Sequence, residues 1–159
     1  MEKFRAYRLS EVEKKIKAEF VDCTLDDLDP GEVVVRVAYS DVNYKDALAA
    51  TGKGRILLRP VCIGGIDLSG TVVSSTDARF AKGDAVLAVG HELGVKHHGG
   101  YAEYARIPAN WAVKLPKGMT LWEAMAIEPT PPVAPSTITG PPAGCRPLCS
   151  IFTTARPAV

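Results

Sequence analysis

Eight of the chain's twelve prolines crowd into its last 32 residues, and that partition decides where a fold can lie. Each proline removes a backbone donor and biases its predecessor towards extended geometry, so one proline in four forbids regular helix or central strand over residues 128–159. Charge divides at the same place. Residues 1–127 carry 17 Lys and Arg against 17 Asp and Glu, whereas the tail holds only Glu128, Arg146 and Arg156. The expectation is one folded domain over 1–127 and a disordered or loosely attached Pro-rich tail over 128–159. A chain of 159 residues suits such a domain, which at this size buries roughly 70% of its unfolded surface.

The balance of charge excludes several function classes. A formal net charge of +1 leaves no field to draw in nucleic acid or an anionic membrane surface. No apolar run approaches the ~18 residues that a membrane span requires. The first twenty residues are charged throughout and lack the apolar core of a secretory signal, which points to the cytoplasm. Cys23, Cys62, Cys145 and Cys149 are then expected as free thiols, since their spacings match no compact disulfide framework.

Within 1–127 the pattern is that of a mainly β fold with short helices. Phe4 to Leu9 reads as a first strand. Ile16, Ala18 and Phe20 alternate with Lys17, Glu19 and Val21 as a half-buried second strand would, with helix as the rival reading. The turn in DLDPGE (27–32) releases EVVVRVAYS, which places Val33, Val35, Val37 and Tyr39 on one strand face. Asp41 is positioned to cap a short helix over Asn43–Ala50 that Gly52 and Gly54 end. IDLSGTVVSS, DAVLAVG and GGYAEYARI are three further strand candidates, separated by KGD, HHGG and PAN, a spacing that suggests a small closed β structure. Thr120 with Glu123 forms a capping box that opens a helix at LWEAMAI, and Pro129, Pro131 and Pro132 then interrupt it. Local signals seldom conflict in this way.

Five segments in order carry a resemblance: SDVNYKDALAATG (40–52), GIDLSGTVVSS (65–75), FAKGDAVLAVG (80–90), GGYAEYARIPANWAVKLP (99–116) and LWEAMAI (121–127). The sequence resembles the medium-chain dehydrogenase/reductase superfamily, and within it the zinc-independent YhdH/AcuI-type quinone oxidoreductases and acryloyl-CoA reductases. The resemblance covers residues 4–127 and implies a GroES-like barrel of the alcohol dehydrogenase N-terminal type. Members continue into a nucleotide-binding Rossmann domain through the helix that opens at Thr120. Here no G-x-G-x-x-G follows a strand and opens a helix. The expectation is therefore a truncated NADPH-dependent oxidoreductase, inactive alone, whose tail after Ile127 reads as out of frame.

The resemblance also implies roles. In zinc-dependent relatives a cysteine and a histidine bind the metal where this chain has Asn43 and Ile66, neither of which replaces a thiolate or imidazole, so no zinc is expected. Hydride transfer to a quinone or an α,β-unsaturated acyl-CoA then needs only well-placed donors for the developing oxyanion. Asn43 and Tyr44 are the candidate catalytic and cofactor-contacting residues, with NADPH as the implied cofactor and Tyr44 as the first choice to touch it. Asp67 and Arg55 are candidate substrate-binding residues. The alternatives are that Tyr44 packs, that Asn43 caps, and that Asp67 pairs locally with a lysine or arginine.

Lys53, Arg55 and Arg59 form a basic cluster suited to phosphates. His91, Glu92, His97 and His98 lack the H-E-x-x-H spacing of a helical metal site and read as a surface loop. Cys62 has no evident basic partner to lower its pKa, and no nucleophile elbow supports a hydrolase. The partners implied are small molecules, with a homo-oligomer left open. The rivals are a non-catalytic GroES-like binding or assembly module and a gene remnant without a stable product; a severed domain would expose Leu121, Trp122, Met125 and Ile127.

Overall fold

The computed structural model describes residues 3–126. β1 (Phe4–Val12) and β2 (Lys15–Cys23) form an antiparallel hairpin in which Val12 faces Lys15, so the strand reading prevails over helix for residues 16–21. The inward face of β2 differs from expectation at one end. Phe20 is exposed against the Tyr7 ring, at 5.2 Å between centroids, while Val21 packs on the opposite face with Phe4 and Ala6. Both faces of this hairpin are partly covered, which blurs a simple alternation.

After a 3₁₀ turn at Leu25–Asp27, β3 (Val33–Tyr39) buries Val33, Val35 and Val37 as its pattern predicts. α1 (Tyr44–Thr51) begins two residues later than a cap at Asp41 would place it. Asn43 is the N-cap residue, and its backbone N–H donates to the Asp46 carboxylate at 3.0 Å. Asp41 instead turns its carboxylate to the neighbouring Val42 amide at 2.7 Å. Gly52 ends the helix in the left-handed region at φ 70, where a side chain would be strained.

The remaining elements are β4 (Val61–Ile63), β5 (Asp67–Ser75), β6 (Ala85–Val89), β7 (Tyr104–Ile107), β8 (Val113–Lys114) and α2 (Leu121–Ala126). β4 and β8, with three and two residues, are too short to show alternation and were not foreseen. The described strands form two antiparallel sheets, ordered β2-β1-β4 and β7-β3-β5-β6-β8. The larger sheet encloses a core around Val35, Leu68, Val72, Val86 and Ile107; the smaller one covers Phe4, Ala6, Leu28 and Ile63.

A glycine seam joins the sheets. The Gly99 amide donates to the Ile63 carbonyl (2.9 Å), Gly100 to Gly65 (3.0 Å) and Tyr101 to Gly64 (2.9 Å). The backbones meet so closely that a Cβ on Gly99 would lie 2.0 Å from the Gly65 oxygen, and one on Gly100 2.1 Å from that of Asp67. Tyr7 and Glu103 continue the seam, donating to the Tyr101 and Arg5 carbonyls respectively.

α2 opens with the predicted capping box: Thr120 donates to the Glu123 carboxylate from both its amide (2.8 Å) and its hydroxyl (2.7 Å), and the Glu123 amide donates back at 3.2 Å. The helix rests on β5, β3 and β6. The fully buried Ser69 hydroxyl of β5 donates to the Leu121 carbonyl at 2.7 Å. Leu121, Trp122 and Met125 are therefore half-buried rather than the open patch expected. Ile127 and the tail over 128–159, with Cys145 and Cys149, lie outside the described residues.

Candidate functional site

The end of β3, the start of α1, the start of β5 and the glycine seam converge around one carboxylate. Asp67, the first residue of β5, is 6% exposed. Its Oδ2 accepts from the Asn43 side-chain amide at 2.6 Å, and its Oδ1 from the Asp41 backbone N–H at 2.8 Å and the Ser40 hydroxyl at 3.2 Å. The same hydroxyl donates to the Asp67 carbonyl at 2.7 Å. Burial pushes the Asp67 pKa up, with the Asn43, Asp41 and Ser40 donors acting against that rise. The local pairing of Asp67 with a lysine or arginine is thus corrected: the buried carboxylate accepts from the neutral donors of Asn43, Asp41 and Ser40, and among the described residues it forms no ion pair.

A second carboxylate underpins the first. Asp46 is buried in α1, where its Oδ2 holds the Asn43 amide and its Oδ1 accepts from the Ile66 N–H at 3.2 Å. The Tyr101 hydroxyl donates to the Asp41 carbonyl at 2.9 Å. Burial, reinforced by the carboxylates around it, holds that phenol well above its ordinary pKa, so it stays protonated. Asn43 therefore has one side-chain N–H committed to Asp67, and the planar amide fixes the direction of the second. Beside it Tyr44, the first residue of α1, is 80% exposed, with the exposed Val42 next to it. Among the described residues Tyr44 does not pack, while Asn43 caps α1 as its alternative holds.

Of the residues singled out from the sequence, Asn43, Tyr44 and Asp67 come together. Arg55 is exposed beyond the other end of α1. Ser40, Asp41, Asp46 and Tyr101 were missed. Asp46 had a readable signal, the N-x-x-D spacing of a helix start, whereas Tyr101 arrives through the glycine seam and has no local one.

The basic cluster is split. Arg59 donates to Asp29 at 2.6 Å and to the Lys96 carbonyl at 3.0 Å, so its charge is already paired, whereas Lys53 and Arg55 are exposed. The histidine segment is not a surface loop throughout: His97 and His98 are each 9% exposed. The His98 amide donates to Asp29 at 2.7 Å, its Nδ1 accepts from the Ile63 N–H at 3.0 Å, and His97 Nε2 lies 2.8 Å from the Arg106 carbonyl. Backbone groups thus consume the imidazoles, and only His91, stacked on Trp111 at 5.0 Å, and Glu92 stay exposed. Burial pushes the Cys62 thiol up to about 12, against the pull of the neighbouring Arg59 charge, a basic neighbour the sequence does not reveal. Among the described residues no three His, Cys, Asp or Glu side chains gather as a metal site, and no helix is long and apolar enough to cross a membrane.

Two antiparallel sheets, a glycine seam and a short helix standing over the first residue of β5 define a GroES-like domain. Residues 29–117 match the alcohol dehydrogenase GroES-like domain family, and the chain belongs to it. Relatives at 42–48% identity are of the YhdH/AcuI type in the medium-chain dehydrogenase/reductase superfamily. Acrylyl-CoA reductase AcuI of Ruegeria pomeroyi is 42% identical over 113 residues, which is 71% of this chain and 34% of that one. The yhdH oxidoreductase of Salmonella enterica, solved in complex with NADP, is 43% identical with a TM-score of 0.73 over 76% of this chain and 37% of that one. Bacillus subtilis yhfP, solved with NAD bound, is 42% identical with a TM-score of 0.76 over 79% of this chain and 38% of that one; its name designates a quinone oxidoreductase. The chain spans little more than a third of the length of these relatives.

Proposed function

We propose that this chain provides the GroES-like part of a cytoplasmic, zinc-independent, NADPH-dependent oxidoreductase that reduces quinones or α,β-unsaturated acyl-CoA esters, with residues 1–127 as that domain and 128–159 as an appended tail. The observation that carries the reading is the Asn43–Tyr44 pair: an amide pinned by a buried carboxylate at 2.6 Å beside a tyrosine that is 80% exposed at the start of α1. Support comes from relatives solved with nicotinamide cofactors bound. An amide and an aliphatic side chain at positions 43 and 66 do not fit zinc, so no step is routed through a metal.

When bound, the nicotinamide supplies the hydride. This chain's own contribution is to position donors. Asp67 fixes the Asn43 amide in one orientation, and its remaining N–H and the Tyr44 hydroxyl are available to a cofactor ribose or amide, or to the oxygen that gains charge as the β-carbon of an enone is reduced. Arg55 takes a more distant, charged part of the substrate. The chain as it stands lacks a glycine-rich dinucleotide cradle and is expected to oxidise no NADPH alone.

The test is a chimera that joins residues 1–126 to the remainder of the Ruegeria pomeroyi reductase, assayed for NADPH oxidation with acrylyl-CoA and with a quinone, with and without chelator. Chelator-insensitive turnover that falls at least tenfold in Tyr44→Phe or Asn43→Ala is expected. A folded chimera that binds NADPH yet reduces neither substrate, or one whose turnover ignores both substitutions, refutes the reading.

A further inference from the structure

An open groove of about 670 Å³ lies at the end of α1 away from Asn43 and Tyr44, between the tip of the β1–β2 hairpin and the segment 52–60. Its charged lining is three cations, Lys14, Arg55 and Arg59, against the single carboxylate of Glu11, and its apolar lining includes Ile16 and Leu57. Arg59 is already held by Asp29. Lys14 and Arg55 are exposed, and among the described residues neither forms an ion pair.

The tip of the β1–β2 hairpin stands at the groove's mouth. Glu13 and Lys14 form the two-residue turn of the hairpin with φ of 51° and 63°. Both central positions of such a turn favour Asn and Gly, so an ordinary side chain there is held in a sparsely populated conformation. Positive φ at both positions is what closes the hairpin, and the turn brings Lys14 into the lining of the groove that Arg55 shares.

We propose that this groove binds a phosphorylated small molecule with an apolar arm, Lys14 and Arg55 meeting the phosphates and Ile16 with Leu57 covering the arm. A guanidinium offers paired donors to phosphate oxygens and an ammonium adds a mobile point charge, both in charge-assisted hydrogen bonds. Arg59 strengthens the local field without leaving Asp29, and Glu11 sets a preference for ligands whose charge stays on the basic side. The inference rests on the reductase reading only for Arg55, which that reading also gives a charged part of the substrate, and binding of the probes below to this chain can fail while the chimera still turns over. By the rise per residue of a helix, the groove stands about 12 Å along α1 from the Asn43 end.

The experiment follows backbone amide chemical shifts of the full chain on titration with inorganic pyrophosphate, ADP and coenzyme A. Saturable shifts at Lys14, Gly52, Gly54 and Arg55 are expected, tighter for one of the two organic phosphates than for pyrophosphate; whichever binds tighter identifies a nucleotide or a thiol-bearing coenzyme as the source. Lys14→Gly removes the ammonium while relieving the turn, so it should raise thermal stability yet weaken binding about tenfold, a loss that unfolding cannot explain. Arg55→Gln should weaken it comparably, whereas Lys53→Gln, a neighbouring cation outside the groove lining, should not. The proposal is overturned if no probe moves these amides at millimolar concentration, if shifts appear only at Asn43 and Tyr44, if pyrophosphate binds as tightly as both organic probes, or if Lys14→Gly and Arg55→Gln bind like the parent chain.

Discussion

Replacing Asp29 by alanine should be among the most damaging single changes outside the core. One of its oxygens, Oδ2, accepts from Arg59 at 2.6 Å and from the His98 amide at 2.7 Å, tying together segments 30 and 69 residues apart in sequence. The His98 amide belongs to a buried residue, and an orphaned buried N–H costs about 1–3 kcal/mol. The Arg59 side chain is 31% exposed and water partly replaces its partner, so it adds at most about 1 kcal/mol. The expected loss is about 1–4 kcal/mol, a large share of the ~5–15 kcal/mol that holds a typical domain. With a urea slope of about 2 kcal/mol per molar, the midpoint should fall by about 0.5–2 M in Asp29→Ala. Arg59→Ala, which leaves the amide its acceptor, should lose less than half as much.

The pH dependence has a definite sign. Burial works against ionisation of Asp29, but Arg59 and the His98 amide outweigh it and hold the carboxyl below the usual range. The stabilisation is therefore present above the unfolded value of about 3.9 and is lost as pH falls through the lower folded value. A midpoint shift under about 0.3 M at neutral pH in Asp29→Ala would refute the reasoning, because water would then satisfy both donors.

His98 should give a second window: burial lowers its pKa, and its Nδ1 must stay unprotonated to accept from Ile63. Stability should then be flat above the unfolded value of about 6.5 and decline as pH drops below it; urea midpoints should lose that slope in His98→Gln, and an unchanged slope would point to another group. Cys62, fully buried with its pKa pushed up to about 12, should resist iodoacetamide in the native state, and rapid Cys62 labelling detected by mass spectrometry without denaturant would contradict its burial. Gly100→Ala should destabilise by more than about 3 kcal/mol, since its Cβ would fall 2.1 Å from the Asp67 oxygen and 2.8 Å from Ser40 Oγ. Dispersed amide spectra and an unshifted melting temperature would show that the seam yields.

The elements legible in the sequence were those whose signals are local. The valines of β3 alternate cleanly, and Thr120 and Glu123 sit at the spacing a capping box requires, so both were readable from a few neighbours. Asn43 and Tyr44 stood out through resemblance, and their placement at the start of α1 follows from a cap two residues beyond the one anticipated. The rest depends on contacts between distant segments. Asp67 gathers donors 24 to 27 residues before it, and Asp29 reaches His98 across 69 positions. No periodicity within a segment encodes such meetings, which is why the histidines looked like a surface loop and Arg59 like a partner of Arg55. The glycine pairs at 64–65 and 99–100 serve mutual approach, a property visible only when both are in place.

That mutual approach makes the joint behave as a rivet rather than a hinge. With no side chain to compress or rotate at 64, 65, 99 and 100, the two sheets have little freedom to slide, and Ser40, Asp67 and Tyr101 inherit that stiffness because each sits within a residue or two of the joint or bonds directly across it. Motion that admits or releases a ligand must accordingly come from parts hung outside the joint, such as the tip carrying Glu13 and Lys14 or the stretch from Lys53 to Leu58, while the polar cluster keeps its shape.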